Sequence, residues 1–186
     1  MNPSFIEYYD DALSIKECDS IISYFESQPQ RDGQYIHNNR NRVDKSVKSS
    51  IEPQKPCKFS YCDFYADILQ KPLIRCIDRY YNKYQGCLDC LDAWTVDDGY
   101  NLKKFSGKND GYKVWHTEHG PSKPRRILVW TFYLNDALSG TEFVYYPTVE
   151  AKRGRCAIWP AGFTHVHRSE ENKGIKYITS GWISYV

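Results

Sequence analysis

A mainly β domain of the α+β kind, its helices gathered near the N-terminus, is the fold class this sequence predicts. Helical spacing of apolar residues is confined to two stretches before Leu91. After Leu91, short apolar runs alternate with turn signals roughly every eight to twelve residues, the rhythm of a sandwich or barrel. Aromatic residues make up 16% of the chain, sixteen of them tyrosine, which suits strands with aromatic-lined surfaces. At 186 residues the chain is long enough for one domain with a real core. Residues 1–90 read as a helical support layer that includes a polar segment at about 29–57, and residues 91–186 as the β core.

Ser14-Ile15-Lys16-Glu17 reads as a capping box, hydroxyl and carboxylate each serving the other's backbone amide. It opens an amphipathic helix to about Gln28, with Cys18, Ile21, Ile22 and Phe25 on its inner side. Pro29 to Cys57 is polar and basic, with Asn38-Asn39, several Arg and Lys, and two prolines near its end. At most a short strand is expected there, within a mobile surface segment or a lid over substrate. Phe59 to Tyr84 returns to helical spacing through Phe64, Ile68, Leu73, Ile77, Tyr80 and Tyr81. A break is expected near Pro72, because proline lacks the N–H that a helix interior uses. In the β half the turns are marked by Asp97-Asp98-Gly99, Gly120-Pro121, Ser139-Gly140, Pro160-Ala161-Gly162 and Asn172-Lys173-Gly174. Ile127 to Leu134 is apolar on both faces, as a central strand covered on both sides would be.

Twenty-five basic and 23 acidic residues leave a net charge of +2, which indicates neither nucleic acid nor an anionic membrane as partner. Met1 to Asp10 has no basic n-region and no apolar run, and no stretch has the length of a membrane helix, so a cytoplasmic location is expected. Seven cysteines, an odd number, fit reduced thiols. Cys87-Leu88-Asp89-Cys90 has CxxC spacing, but a structural zinc site would need a second pair. The sequence sets no oligomeric state.

The chemistry is concentrated in two places. Trp115-His116-Thr117-Glu118 puts a histidine and a carboxylate two apart, on one face of an extended strand. Phe163-Thr164-His165-Val166-His167-Arg168, about fifty residues later, offers a further imidazole. Two imidazoles and one carboxylate occupy one face of an octahedral ferrous ion and leave the opposite positions open for substrate and dioxygen. His165 and His167 share a face if extended, so the residues alone leave the third ligand open.

Together with Gly111-Tyr112-Lys113-Val114, Trp130 to Asp136, Gly140-Thr141-Glu142-Phe143, Ile158 to Gly162 and Lys176 to Trp182, these motifs resemble the prolyl 4-hydroxylase-like branch of the iron(II)- and 2-oxoglutarate-dependent dioxygenases. The resemblance covers about Tyr100 to Val186 and takes in small bacterial and phage-borne members. It implies a double-stranded β-helix, or jelly roll, with the N-terminal helices packed on one sheet. It implies His116, Glu118 and His167 as iron ligands, His167 being the second histidine of a Thr-His-x-His run with a basic residue nine positions on. Glu118 stands where the family more often has Asp. Lys176 and Tyr133 are implied to hold the distal carboxylate of 2-oxoglutarate, with Ser180 and Trp182 near the cosubstrate. Phe105 stands where several relatives have Tyr. His165, Trp115 and Tyr112 are implied as residues behind the ligands or beside the substrate.

The implied reaction is oxidative. Fe(II), 2-oxoglutarate and dioxygen, with ascorbate allowed as a reductant, hydroxylate a peptidyl proline or a similar residue and release succinate and carbon dioxide. The substrate is a peptide, a protein or a small molecule. Two other readings use the same triad. A cupin-like metal-binding module without catalysis would keep the ligands but would not need Lys176 and Tyr133 aimed into the barrel. A zinc hydrolase accepts two His and one Glu, but commonly carries a separate general base, and no HExxH helix is present.

Overall fold

The computed structural model describes residues 3–37, 40–62 and 64–186, with Phe64 described by its backbone alone. The first two residues, Asn38-Asn39 and the Phe64 side chain, on which the sequence reading drew, lie outside the described residues. Strand β1 (Glu7–Tyr9) leads to helix α1 (Ile15–Ser27). The capping box is present: Ser14 Oγ accepts from the Glu17 amide at 3.3 Å, and the Ser14 amide donates to Glu17 Oε2 at 2.7 Å. Cys18, Ile21 and Phe25 are the buried face of α1, at the i, i+3, i+7 spacing of one helical stripe.

The polar segment that follows is more regular than its composition suggests. It holds β2 (Gln30–Asp32), β3 (Tyr35–His37), β4 (Arg40–Arg42), β5 (Lys48–Ser49), β6 (Ile51–Pro53) and the start of β7 (Cys57–Lys58). The expectation of at most one short strand is therefore corrected. The physical reason is that two of its charges cancel inside the protein. Lys48 and Glu52, 4% and 6% exposed, form an ion pair, and Lys48 Nζ also donates to the Gln34 carbonyl at 2.6 Å.

Helix α2 (Phe64–Leu88) also departs from expectation. It runs through Pro72 without a break, and its one non-helical residue is Tyr84, at φ −118°, ψ 24°. Pro72 is buried on the same stripe as Leu69, Leu73, Cys76, Ile77 and Tyr80. Tertiary burial of that stripe outweighs one missing backbone bond and the ring's crowding of the preceding turn.

The β half comprises β8 (Trp94–Val96), β9 (Gly99–Phe105), β10 (Gly111–Tyr112), β11 (Arg126–Tyr133), β12 (Thr141–Phe143), β13 (Cys156–Pro160), β14 (His167–Ser169) and β15 (Lys176–Tyr185). A nine-stranded antiparallel sheet runs in the order β1-β13-β11-β15-β9-β6-β2, with β7 also on β9 and β8 also on β15. Three small ladders, β10 with β5, β12 with β14 and β3 with β4, stand apart from it. As expected, β11 is central and covered on both sides. Leu128, Trp130 and Phe132 join the cluster that includes Ile21, Phe25, Leu69 and Leu73 of the helices, and Val129 and Tyr133 join Phe143 and Trp159 on the other face. Gly181 sits opposite Trp130 in the β11–β15 register, and a Cβ there would lie 2.4 Å from the indole. All seven cysteines are free thiols, Cys87 and Cys90 both exposed.

Candidate metal centre

His116 and His167 meet through a reciprocal pair of backbone hydrogen bonds, each amide donating to the other's carbonyl at 3.0 Å. This isolated bridge replaces the continuous strand expected around His116. Glu118 is placed by its own amide, which donates to the Ala161 carbonyl at 3.1 Å. One donor atom each from His116, Glu118 and His167 lies within 4.8 Å of the others, the one such grouping of three among the described residues.

The imidazoles are held in a defined tautomer. His116 Nδ1 contacts the Val114 carbonyl at 3.0 Å, and His167 Nδ1 contacts the His165 carbonyl at 2.9 Å. A carbonyl only accepts, so each Nδ1 carries the hydrogen, the tautomer whose lone pair is on Nε2. Fixing a ring through its outer nitrogen is how metal-binding histidines are oriented. Tyr112 stacks on His116 with centroids 3.7 Å apart, and Phe143 and Trp159 flank His167. Burial pushes the His167 ring down to about 4, so it is neutral at physiological pH.

Glu118 turns Oε1 toward His116 Nε2 at 3.6 Å, while Oε2 accepts from Arg126 at 2.8 Å and Lys123 at 3.2 Å. Burial opposes its ionisation, but the charges of Lys123 and Arg126 outweigh it and hold the carboxyl well below the usual range. The two cations are the partners that the sequence reading missed. Two imidazoles with Nδ1 engaged and Nε2 turned inward, and one ionised carboxylate, each fixed from behind, fit a ferrous ion by number and donor type.

His165 is placed elsewhere. It ends the 3-10 turn Phe163–His165, so strand alternation with His167 does not apply. Its Nε2 meets the Ser4 carbonyl at 2.8 Å, Nδ1 meets Thr164 Oγ1 at 2.9 Å, and the ring stacks on Tyr146. Trp115 is 43% exposed beneath the Arg168 guanidinium and lies outside the cleft. Tyr112, Phe105, Ser180 and Trp182 line the cleft that holds the triad.

Lys176 is 2% exposed at the inner end of β15, with Nζ near the Ser139 and Gly140 carbonyls (3.2 and 3.4 Å) and 5.2 Å from the Phe105 ring centre. The Tyr133 hydroxyl contacts Thr141 Oγ1 at 2.7 Å. Both side chains thus converge on Ser139 to Thr141, at the edge of the triad's cleft. Burial lowers the Lys176 ammonium to about 8, with Glu170 acting against it, and raises the Tyr133 phenol to about 12.

No family model and no curated sequence matches the chain. Solved structures do. A viral collagen prolyl hydroxylase from Paramecium Bursaria Chlorella virus-1 is 14% identical at a TM-score of 0.64, over 98% of this chain and 97% of its own. A prolyl hydroxylase from Trichoplax adhaerens, solved with a hypoxia inducible factor peptide fragment, is 14% identical at a TM-score of 0.72, over 98% and 84%. A non-heme alpha ketoglutarate dependent epimerase from nogalamycin biosynthesis is 12% identical at a TM-score of 0.65, over 98% and 78%. At such identities the likeness is one of fold: the chain has the jelly-roll fold of the prolyl hydroxylase-like 2-oxoglutarate oxygenases.

Proposed function

We propose that this chain is an iron(II)- and 2-oxoglutarate-dependent dioxygenase with His116, Glu118 and His167 as its metal ligands. The observation that carries the reading is the pair of imidazoles, each with Nδ1 on a carbonyl and Nε2 free beside one ionised carboxylate. Ferrous iron bound there would supply the oxidative chemistry that turns 2-oxoglutarate and dioxygen into succinate and carbon dioxide as substrate is hydroxylated, with ascorbate as a reductant. Lys176 and Tyr133 bind the distal carboxylate, the ammonium by charge and the phenol by donation. Ser180 and Trp182 shape the wall beside it. Phe105, Ile178 and Val129 keep that wall apolar and exclude water. The segment from Pro29 to Cys57 contributes Lys48 to the cleft wall, and we assign it the covering of substrate.

Among the described residues lining the cleft, Glu118 is the one carboxylate. A zinc hydrolase commonly carries a separate general base beside the metal, often a carboxylate, so this lining favours the oxygenase. Peptidyl proline is the substrate that the resemblance and the peptide-bound Trichoplax enzyme support. The test is anaerobic addition of ferrous ion and 2-oxoglutarate. The visible charge-transfer band of the chelate is expected for wild type and absent for His167→Ala. No band and no 2-oxoglutarate consumption in wild type would refute the assignment.

A further inference from the structure

Three cations line the cleft that holds the triad. Lys48 is paired with Glu52, and Arg168 with Glu142 at 2.7 Å. Lys103 has no carboxylate within ion-pair distance among the described residues, and its Nζ has one neutral partner, Ser180 Oγ at 3.3 Å. It lies on the inner face of β9, two residues before Phe105. A groove opening from the same cleft carries Arg31, Lys123, Arg125 and Arg126 beside the carboxylates Glu52, Asp97, Asp98 and Glu118, and Lys103 belongs to both.

A second observation points the same way. In the cleft and groove, the buried side-chain polar atoms without a protein partner are Arg31 Nε, Trp159 Nε1 and Trp182 Nε1. All three are donors, and none is an acceptor. Buried donors are ordinarily satisfied, and a half-buried ammonium ordinarily finds an anion. The groove's carboxylates, Glu52, Asp97, Asp98 and Glu118, serve none of these three donors and make no ion pair with Lys103, so a ligand rich in acceptors would find unmet partners there.

The cosubstrate's distal carboxylate already has a place at Lys176. In the β9–β15 register Lys103 faces Ile178 while Lys176 faces Phe105, so the two ammonium groups belong to successive rows. Lys176 lies at the inner row, outside the triad's cleft, whereas Lys103 stands where the groove meets the triad. We propose that Lys103 and Ser180, sharing their cleft with the Trp182 indole, form an anion subsite separate from Lys176, and that the substrate carries a carboxylate or phosphate that docks there. This deepens the dioxygenase reading and rests on it.

The test uses full-length protein loaded with Zn(II) and 2-oxoglutarate, titrated with acetate or with inorganic phosphate at fixed ionic strength while the thermal midpoint is followed. The midpoint should rise in wild type and Lys103→Arg, and whichever anion acts at lower concentration identifies the group. Lys103→Met should weaken the apparent anion affinity at least about tenfold, by loss of one charge-assisted hydrogen bond. Lys103→Gln, which keeps a contact with Ser180 but no charge, should behave alike and guards against a folding defect in the first variant. In parallel, the anaerobic iron chelate band should report 2-oxoglutarate affinity within about twofold of wild type in Lys103→Met, a difference of under about 0.5 kcal/mol. No midpoint rise in wild type, an equal rise in Lys103→Met, or a loss of 2-oxoglutarate matching that of Lys176→Met would each overturn the subsite. Failure of the dioxygenase reading shows separately, as absence of the chelate band in wild type.

Discussion

His116 and His167 hold one another by their backbones, amide to carbonyl in both directions at 3.0 Å. The ring centres follow at 4.5 Å. The two motifs, about fifty residues apart in sequence, are thus one structural unit before any ion arrives. An ion would meet imidazoles already brought together, which lowers the ordering cost of binding.

The first prediction concerns which histidine matters. His116→Ala and His167→Ala should each abolish 2-oxoglutarate turnover with circular dichroism unchanged. His165→Ala should keep turnover, because both of its ring nitrogens are engaged by Ser4 and Thr164 away from the cleft. It should instead lose about 1–2 kcal/mol of stability with those hydrogen bonds. A dead His165→Ala beside an active His167→Ala would reverse the ligand assignment.

Glu118 answers to charge as well as position. Glu118→Ala leaves Lys123 and Arg126 without the carboxylate they share, so ferrous affinity should fall by more than about a hundredfold in competition with a chelator. Glu118→Asp keeps the charge and should retain some activity. Arg126→Ala, which removes the strongest brace on Oε2, should cost about ten- to a hundredfold in metal affinity.

The capping box, the central strand and the triad were legible because each is fixed by local rules: paired cap residues, a run of apolar side chains, a short motif with metal chemistry. The strands of Pro29 to Cys57 were not, because Lys48 and Glu52 read as surface charges until their mutual burial is known. Pro72 misled for a related reason, since the stripe it joins wins over its backbone cost. The ambiguity between His165 and His167 came from assuming an extended chain, where a 3-10 turn intervenes. Lys103 was overlooked although it alternates with Phe105, which the sequence reading did single out.

Close packing gives a prediction away from the site. Gly181→Ala would drive a methyl to 2.4 Å from the Trp130 ring, which is fully buried between β13 and β15. The cost should be about 1–3 kcal/mol, as for other overpacked cores. Urea unfolding should show a lower midpoint at an unchanged slope.

The metal-free protein should lose stability on mild acidification. Burial sets the folded His167 near 4, while an unfolded histidine titrates near about 6.5. The folded value is the lower one, so the unfolded chain takes up the proton first. The contribution is fully present above about pH 6.5 and is lost as pH falls toward 4, for about 3 kcal/mol in all. Urea midpoints across that range should fall in wild type and fall less in His167→Gln. Identical slopes in both proteins would assign the acid sensitivity to other groups.

Lys176 separates an oxygenase from a domain that merely binds metal. Two carbonyls and an aromatic ring surround its buried ammonium, and no carboxylate of the described residues lies within ion-pair distance. A cosubstrate carboxylate would complete that environment, with the Tyr133 phenol on the same side through Thr141. Charge-assisted hydrogen bonds are worth about 1.5–3 kcal/mol each, so Lys176→Ala should weaken 2-oxoglutarate by about tenfold to a hundredfold while leaving iron affinity nearly unchanged. The pH dependence gives the sign. Burial brings the free ammonium down to about 8, so above that pH the lysine must be reprotonated before it can pair with the carboxylate. Affinity for 2-oxoglutarate should therefore fall as pH rises past 8, by up to about tenfold per unit. Lys176→Arg stays charged throughout and should bind with an affinity flat in pH, though weaker near neutrality because the forked guanidinium fits the pocket less well. Wild-type affinity that does not change across this range, together with equal affinity in Lys176→Ala, would place the cosubstrate elsewhere and remove the main support for an oxygenase.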